Sequence, residues 1–425
     1  MNNNDTITLP VEQNIKIPKG YKKTTIGIIP VEWEVKKIKE IGYVSSGGTP
    51  DTTTLDYWGG DINWCTPTDI TALSDKFLGA TKAKITEKGL KNSSAKLLPP
   101  FSIIVCTRAT IGKVAMNTVP MSTNQGFKNI IPKNIDTDFL YYKILSEDKG
   151  LIKIANGSTF LEVSKTDFDN YSISIPPQQE QQKIAEILST WDEAITNCKT
   201  IINTLKSRNK GLAQQLLTGK KRLSGFSEKW TNTHLGKIAT RITTKNEELN
   251  DTVVTISAQR GFVLQEDFFN KRVASNTLSG YYLLKKGQFA YNKSYSNGYP
   301  MGAFKRLNDF EKAVVTTLYI CFELKQNICP DYMVYFFENG LMTNNLMKVA
   351  KEGGRAHGLL NIGLDDFLNL ELKMPPFNEQ TAISQVLETA NQELKSYEEK
   401  LKALQLQKKG LMQQLLTGKL RVNVN

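Results

Sequence analysis

The residues able to do chemistry gather in glycine-punctuated, loop-like stretches. In the first half, Thr107-Arg-Ala-Thr-Ile-Gly-Lys113 and Ser122-Thr-Asn-Gln-Gly-Phe127 supply Arg108, Thr110, Lys113, Asn124 and Gln125, with Thr49 and Thr68 in neighbouring turns. In the second half, Tyr291-Asn-Lys-Ser-Tyr-Ser-Asn-Gly-Tyr-Pro300 supplies Asn292, Lys293, Tyr295 and Ser296. Arg260, Arg306 and Gly353-Gly-Arg-Ala-His-Gly358, with Arg355 and His357, complete that set. Hydroxyls, cationic side chains and backbone amides of this kind contact phosphates; Arg, Asn and Gln also read base edges. The net charge of +12 and pI near 9.2 fit the same partner, nucleic acid, better than a membrane surface or an acidic protein. A competing reading takes Ser46-Gly-Gly-Thr-Pro50 and Tyr57-Trp-Gly-Gly-Asp-Ile-Asn-Trp64 as turns that close the fold. That reading is preferred for the glycines and aromatics, and DNA contact for Arg108, Lys113, Lys293, Arg306 and Arg355.

Other chemistries lack their residues. The Gly-Lys pairs precede Val114, Lys221, Ile238 and Leu420, so no phosphate loop is complete, and no Gly-x-Gly-x-x-Gly occurs. The two histidines, His234 and His357, have no second ligand at metal spacing, and the five cysteines form no Cys-x-x-Cys pair. No serine elbow or histidine-anchored triad is present. Met374-Pro-Pro-Phe377 superficially resembles an amino-methyltransferase loop, but Met374 lacks the polar oxygen that would hold an amine. The expectation is a chain with no catalysis, metal or cofactor of its own. No apolar run reaches 18 residues and Met1-Asn-Asn-Asn-Asp5 is no secretory leader, so a cytoplasmic protein with no membrane partner is expected.

The elements that must hold these loops are written twice. Lys210-Gly-Leu-Ala-Gln-Gln-Leu-Leu-Thr-Gly-Lys220 returns as Lys409-Gly-Leu-Met-Gln-Gln-Leu-Leu-Thr-Gly-Lys419, and each copy ends a long segment that follows Pro176-Pro177 or Pro375-Pro376. Apolar residues in the first segment fall at Ile184, Leu188, Trp191, Ile195, Cys198, Ile202, Leu205, Leu212 and Leu216. In the second they fall at Ile383, Leu387, Ala390, Leu394, Tyr397, Leu401, Leu404, Leu411 and Leu415. Alternating steps of four and three make a heptad seam. Both seams break at the same point, at Asn209 and at Lys408. A polar residue at such a position can specify register and partner, or can face solvent where helices diverge. Gly219 and Gly418 read as helix stops, with Lys220, Lys221 and Arg222 beyond the first. Each helix of about 38 residues would be about 57 Å long. Pairing within the chain, antiparallel, would let two modules sit at opposite ends of the pair under an approximate twofold.

The fold expected is α+β: two globular recognition domains separated by two long antiparallel coiled-coil spacer helices, as a pseudo-twofold internal repeat. Its parts are an arm at 1–20, domain one at 21–177, a central helix at 178–219, domain two at 220–376, a second helix at 377–419 and a tail at 420–425.

In this order, and twice, the motifs resemble the specificity subunit of type I restriction-modification systems. Gly-Gly-Thr-Pro, Trp-Gly-Gly-Asp-Ile-x-Trp, Arg-Ala-Thr-Ile-Gly-Lys, Ser-Thr-Asn-Gln-Gly-Phe and Asn-Lys-Ser-Tyr-Ser-x-Gly-Tyr-Pro look like its target-recognition domains. Pro-Pro-x-x-Glu-Gln leading to Gln-Gln-Leu-Leu-Thr-Gly looks like its spacer. The resemblance implies a non-catalytic subunit whose two domains each read half of an asymmetric, split site on double-stranded DNA. It implies helices that set the gap and dock two modification subunits, which bind S-adenosylmethionine, with restriction/translocase subunits using ATP and Mg. Alternatives are a coiled-coil scaffold with vestigial DNA-binding modules, or a specificity subunit of another restriction enzyme type. The bases read are not legible, nor whether the system restricts or only methylates.

Overall fold

The computed structural model describes residues 17–157, 161–271, 273–275, 277–350, 358 and 360–423. They form two compact units, Met1–Thr200 with Glu399–Asn425, and Ile201–Glu398. The boundaries between these units fall inside the two long helices, Gln178–Leu217 and Phe377–Leu415. Each long helix belongs to both units, because its seam packs against the other helix in each.

In unit one, short strands build a five-stranded sheet. Its strands are β1 (Gly42–Ser46), β2 (Phe77–Leu78), β3 (Ile103–Cys106), β4 (Val114–Asn117) and β5 (Phe127–Pro132), in the order β1-β5-β3-β4-β2. Every residue of β3 and β4 is buried, as expected for strands covered on both faces. A smaller sheet joins Met121–Thr123, Trp58–Cys65 and Ala83–Ile85. Helix α1 (Thr137–Ser146) starts where the Asp136 side chain accepts the Phe139 N–H (2.8 Å) and sends Phe139, Leu140 and Tyr142 into the core. Helix α2 (Gln178–Leu217) follows Pro177, whose carbonyl accepts from the amides of Glu180 and Gln181, both at 3.0 Å.

Unit two repeats the plan with fewer strands. Its sheet is β6 (Ala239–Ile242), β7 (Phe289–Asn292), β8 (Ala303–Arg306) and β9 (Ile320–Leu324), ordered β6-β9-β7-β8. Two hairpin-like pairs flank it, Val254–Ser257 with Gly261–Leu264 and Tyr282–Lys285 with Lys312–Val315. Phe289, Tyr291, Phe304, Phe322, Phe337 and Phe367 form one aromatic stack at its centre. Phe337 comes from helix α3 (Pro330–Glu338), and helix α4 is Phe377–Leu415.

Within each unit the long helices run antiparallel. In unit one, Ile184 and Leu188 share a core with Leu415 and the half-buried Leu411; in unit two, Leu216 and the half-buried Leu212 share a core with Ile383 and Leu387. The α2 seam is buried at Ile195, Ile202 and Leu205, with Trp191 half-covered. The α4 seam is looser, with Leu394, Leu401 and Leu404 only half-buried.

The polar breaks do not face solvent. In unit two the Asn209 amide donates to the Ala390 carbonyl (2.8 Å) and to Asn391 Oδ1 (3.4 Å). In unit one Lys408 pairs with Asp192, and its ammonium lies 5.0 Å from the centre of the Tyr142 ring. Each break fixes one helix against one place on the other. Asn209→Leu should therefore keep or raise the melting temperature but loosen pairing. Light scattering on the purified variant should detect a second assembly, and a single wild-type species would remove this role from Asn209.

Candidate nucleic-acid interface

In unit one the β3–β4 connection, 107–113, is pinned by its own backbone. Thr107 N–H donates to the Gly126 carbonyl (2.8 Å), and Cys106 N–H to that of Lys113 (2.8 Å). Gly112 has φ of +84°, and a Cβ there would come 2.7 Å from Asp148 Cα, so this glycine is required twice over. Arg108 stands half-exposed, 3.9 Å from Glu162, which also takes the buried Lys128 at 3.3 Å. A Cβ at Gly126 would lie 3.7 Å from Arg108 Cβ and 3.1 Å from Asn124 Oδ1, so the two loops are in contact. Thr49 donates a short hydrogen bond to the exposed Gln125, and Thr68 follows Pro67, whose ring is 4.0 Å from the same Gly126 position. Thr49, Thr68, Arg108, Asn124 and Gln125 thus meet at one edge of the unit, with exposed Lys113 in the same loop.

One of these has structural work. Asn124 Oδ1 accepts the Gly126 N–H (2.9 Å), so it shapes the turn. The Thr110 hydroxyl oxygen is buried and makes no hydrogen bond among the described residues, so it is not presented to a ligand. The Gly-Gly-Thr-Pro turn is held by packing: a Cβ at Gly47 would fall 1.8 Å from the Asn124 carbonyl oxygen, and one at Gly48 2.3 Å from Ala95 N.

In unit two the β7–β8 connection is the counterpart. Asn292 Oδ1 accepts the Ser294 N–H (3.1 Å), Tyr295 N–H donates to Gly358 O (2.9 Å), and Ser296 and Tyr299 exchange backbone bonds of 3.2 and 2.8 Å. The loop presents Tyr295 at 64% exposure, with Lys293 half-buried beside it. Gln259 Nε2 donates to Asn297 O (3.0 Å) and ties the loop to its neighbour, where exposed Arg260 lies over the Phe268 ring at 5.7 Å. Arg306 is not part of this group. It ends β8 opposite Phe289, at the far end of the hairpin, where its guanidinium takes Asn308 and Asp331 at 2.8 Å each. Arg355 and His357 lie outside the described residues.

Residues overlooked as functional hold the modules to the helices. In unit one, buried Glu180 receives Arg421 through two bonds (2.7 and 3.0 Å) and the Trp33 indole N–H (3.0 Å). In unit two, buried Glu379 receives Arg222 twice, one bond at 2.7 Å, and Trp230 (3.0 Å). Gln181 and Gln380 then each bridge a Pro carbonyl (Pro176, Pro375) and a helix-start amide (Asp136, Cys329), all at 2.9 Å. Each glutamate is the third residue of its helix, where a carboxylate also suits the helix dipole. Gly219 and Gly418 take φ of +70° and +71°; a Cβ on them would press on Trp230 at 3.3 Å and on Pro30 at 2.5 Å. The signal was present in the sequence as Pro-Pro-x-x-Glu-Gln and as an arginine three residues past each stop glycine.

Burial pushes the Cys106 thiol up to about 11 and that of Cys321 up to about 12, so both stay protonated near neutral pH and neither is a thiolate nucleophile. Among the described residues no three His, Cys, Asp or Glu side chains are grouped to hold a metal ion, and no helix is long and apolar enough to cross a membrane.

One sheet plan recurs in both units with different loops, and in each unit the same arginine–glutamate–tryptophan latch joins the module to its long helices. Residues 30–207 match the family model of the type I restriction modification DNA specificity domain. It is 43% identical over 182 residues to the type I restriction enzyme MjaIX specificity subunit of Methanocaldococcus jannaschii, covering 42% of each chain. It is 33% identical over 178 residues to the EcoR124I/EcoR124II specificity subunit of Escherichia coli, covering 40% of this chain and 43% of that one. The matched stretch thus spans less than half the length of these relatives. Two solved structures share the fold across 92% of this chain. They are the type I S subunit of M. genitalium (16% identity, TM-score 0.51, 97% of that chain) and the HsdS subunit of Thermoanaerobacter tengcongensis (15%, 0.52, 98%).

Proposed function

We propose that this chain is the DNA-specificity subunit of a type I restriction-modification assembly and has no catalysis of its own. Each module reads one half of an asymmetric, split site on double-stranded DNA, and the helices fix the gap and dock two modification subunits. S-adenosylmethionine then belongs to those subunits, ATP and Mg to the restriction/translocase subunits, and the assembly to the cytoplasm. The observation that carries the reading is the contrast between repeated frame and unrepeated loops. The latches recur residue for residue, whereas the loops carry Arg108, Asn124 and Gln125 in one module and Arg260, Lys293 and Tyr295 in the other. Identical readers would suit a palindrome; different readers suit two different half-sites.

The test is Arg108→Ala, assembled with its modification subunits and assayed by sequencing that detects methylated adenine. Reading of one half-site should weaken by about 1–3 kcal/mol, roughly fivefold to 150-fold, with the other half-site still read at full stringency. Equal loss of discrimination at both halves, or at neither, would take Arg108 out of base reading.

A further inference from the structure

The two units solve one packing problem differently. In unit one the sheet edge β4 is covered by β2: Met116 N–H donates to Lys76 O (2.8 Å) and Thr118 N–H to Leu78 O (3.0 Å). The same segment fills the slot between sheet, α1 and α2. Lys76, 9% exposed, pairs with Asp138 of α1, donates to Ser189 of α2 (3.1 Å) and lies 5.2 Å from the Tyr142 ring centre.

Unit two has the slot, bordered by Gln259 and Gly261, but among the described residues no strand pairs along the outer edge of β8. The matching glutamine bonds at Asp136 and Cys329 align α1 with α3, so Asp138 corresponds to Asp331 and Tyr142 to Tyr335. Along the long helices Ser189 corresponds to Glu388 and Asp192 to Asn391. Tyr335 hydroxyl donates to Glu388 at 2.6 Å, as Tyr142 does to Asp192 at 2.6 Å. On the sheet, the strand registers match Met116 with Arg306 and Thr118 with Asn308. The strand Gly261–Leu264, in the chain position of β2, pairs with Val254–Ser257 instead. Leu307 N–H donates to Gln288 O (2.8 Å), so by the alternation of an antiparallel pair the Arg306 and Asn308 amides point away from β7, and among the described residues the Asn308 amide donates to no backbone carbonyl. Beside them runs a groove of about 950 Å³ between β8, α3 and the start of α4, with Asp331, Glu338 and Glu388 in its walls.

We infer that this groove takes an extended segment of a partner protein, which adds as a fifth strand along β8 and brings a lysine or arginine to Glu388. The outward amides are what an added strand pairs with. Glu388 accepts from Tyr335 and from Gln392 Nε2 (2.9 Å) but has no cationic partner among the described residues. The groove's own cations are engaged, Lys305 by Glu338 and Arg306 by Asp331. Three carboxylates against two paired cations repel a phosphate backbone and favour a basic peptide. Unit one displays the fitting chemistry, a cation followed by apolar residues in a strand: Lys76-Phe-Leu78. The inference does not depend on DNA reading.

The probe is the chain's own segment as a free, fluorescein-labelled peptide, Ser74-Asp-Lys-Phe-Leu-Gly-Ala80, added to the full-length protein. Saturable binding is expected, with slowed amide exchange at 304–308. A peptide with glutamate in place of its lysine should bind about tenfold weaker or worse, and should regain affinity for the Glu388→Lys protein. Asn308→Pro, which removes one edge donor from an exposed position without altering charge, should weaken binding as well; it serves alone if Glu388→Lys melts early. Absence of saturable binding, affinity unchanged in both variants, or DNA duplex protecting 304–308 in place of the peptide would overturn the inference.

Discussion

Arg222→Met should destabilise the protein, lowering its denaturant midpoint clearly below wild type. Its partner Glu379 is fully buried, and without the guanidinium its charge would keep one strong donor, the Trp230 indole. A carboxylate taken out of water is tolerated only while paired and hydrogen-bonded. The double variant Arg222→Met/Glu379→Leu removes the stranded charge and should recover most of the loss, short of about 1 kcal/mol for the Trp230 N–H left without an acceptor. Arg421→Met should act in the same way through Glu180 in unit one, and less strongly because Arg421 is 36% exposed and water can reach the site. Denaturant midpoints give the energies, and amide exchange locates them: Arg222→Met should loosen the start of α4 first. A midpoint indistinguishable from wild type would reduce the latch to an ordinary surface ion pair.

What could be read in advance follows from the range over which each feature is encoded. The helices, their seams, the paired breaks at Asn209 and Lys408 and the stop glycines are local patterns with a period of 3.5 residues, so the sequence carries them openly. The latches are different. Glu180 and Arg421 stand 241 residues apart, and nothing local in either names the other. Only the recurrence of both at one offset hints at a pair. The sharing of each helix between two units is likewise set by contacts between distant segments. In the loops the residue types pointed to nucleic acid, but type alone does not give direction. Arg306 and Arg108 are the same side chain on the same hairpin plan. Asp331 beside β8 takes up the first, and the tight 107–113 turn carries the second to the edge. Nor does composition reveal that β2 exists in one unit and not the other; that depends on whether the chain after Trp58–Cys65 or Val254–Ser257 pairs forward or folds back.

Seven residues inserted into both long helices at once should change the gap in the DNA site and leave its two halves unaltered, if the proposed function holds. The place for them is set by the packing: between Thr200 and Ile201 on α2, and between Glu398 and Glu399 on α4, where one unit ends and the other begins. Inserted there, they leave each unit's latch, sheet and polar break with all its own partners. A whole heptad keeps the seam in phase, whereas four residues would turn Ile202 and Leu205 away from the opposite helix. The added length is about 10 Å, equivalent to about three base pairs at about 3.4 Å each. Modification at the original gap should fall about tenfold or more, because a reader displaced by that distance loses its register on the groove, and methylated sites with a gap longer by about three base pairs should appear. An insertion in α2 alone would leave the two seams unequal and should abolish assembly. If the paired insertion folds, assembles and methylates at the unchanged gap, the helices are not what spaces the two readers.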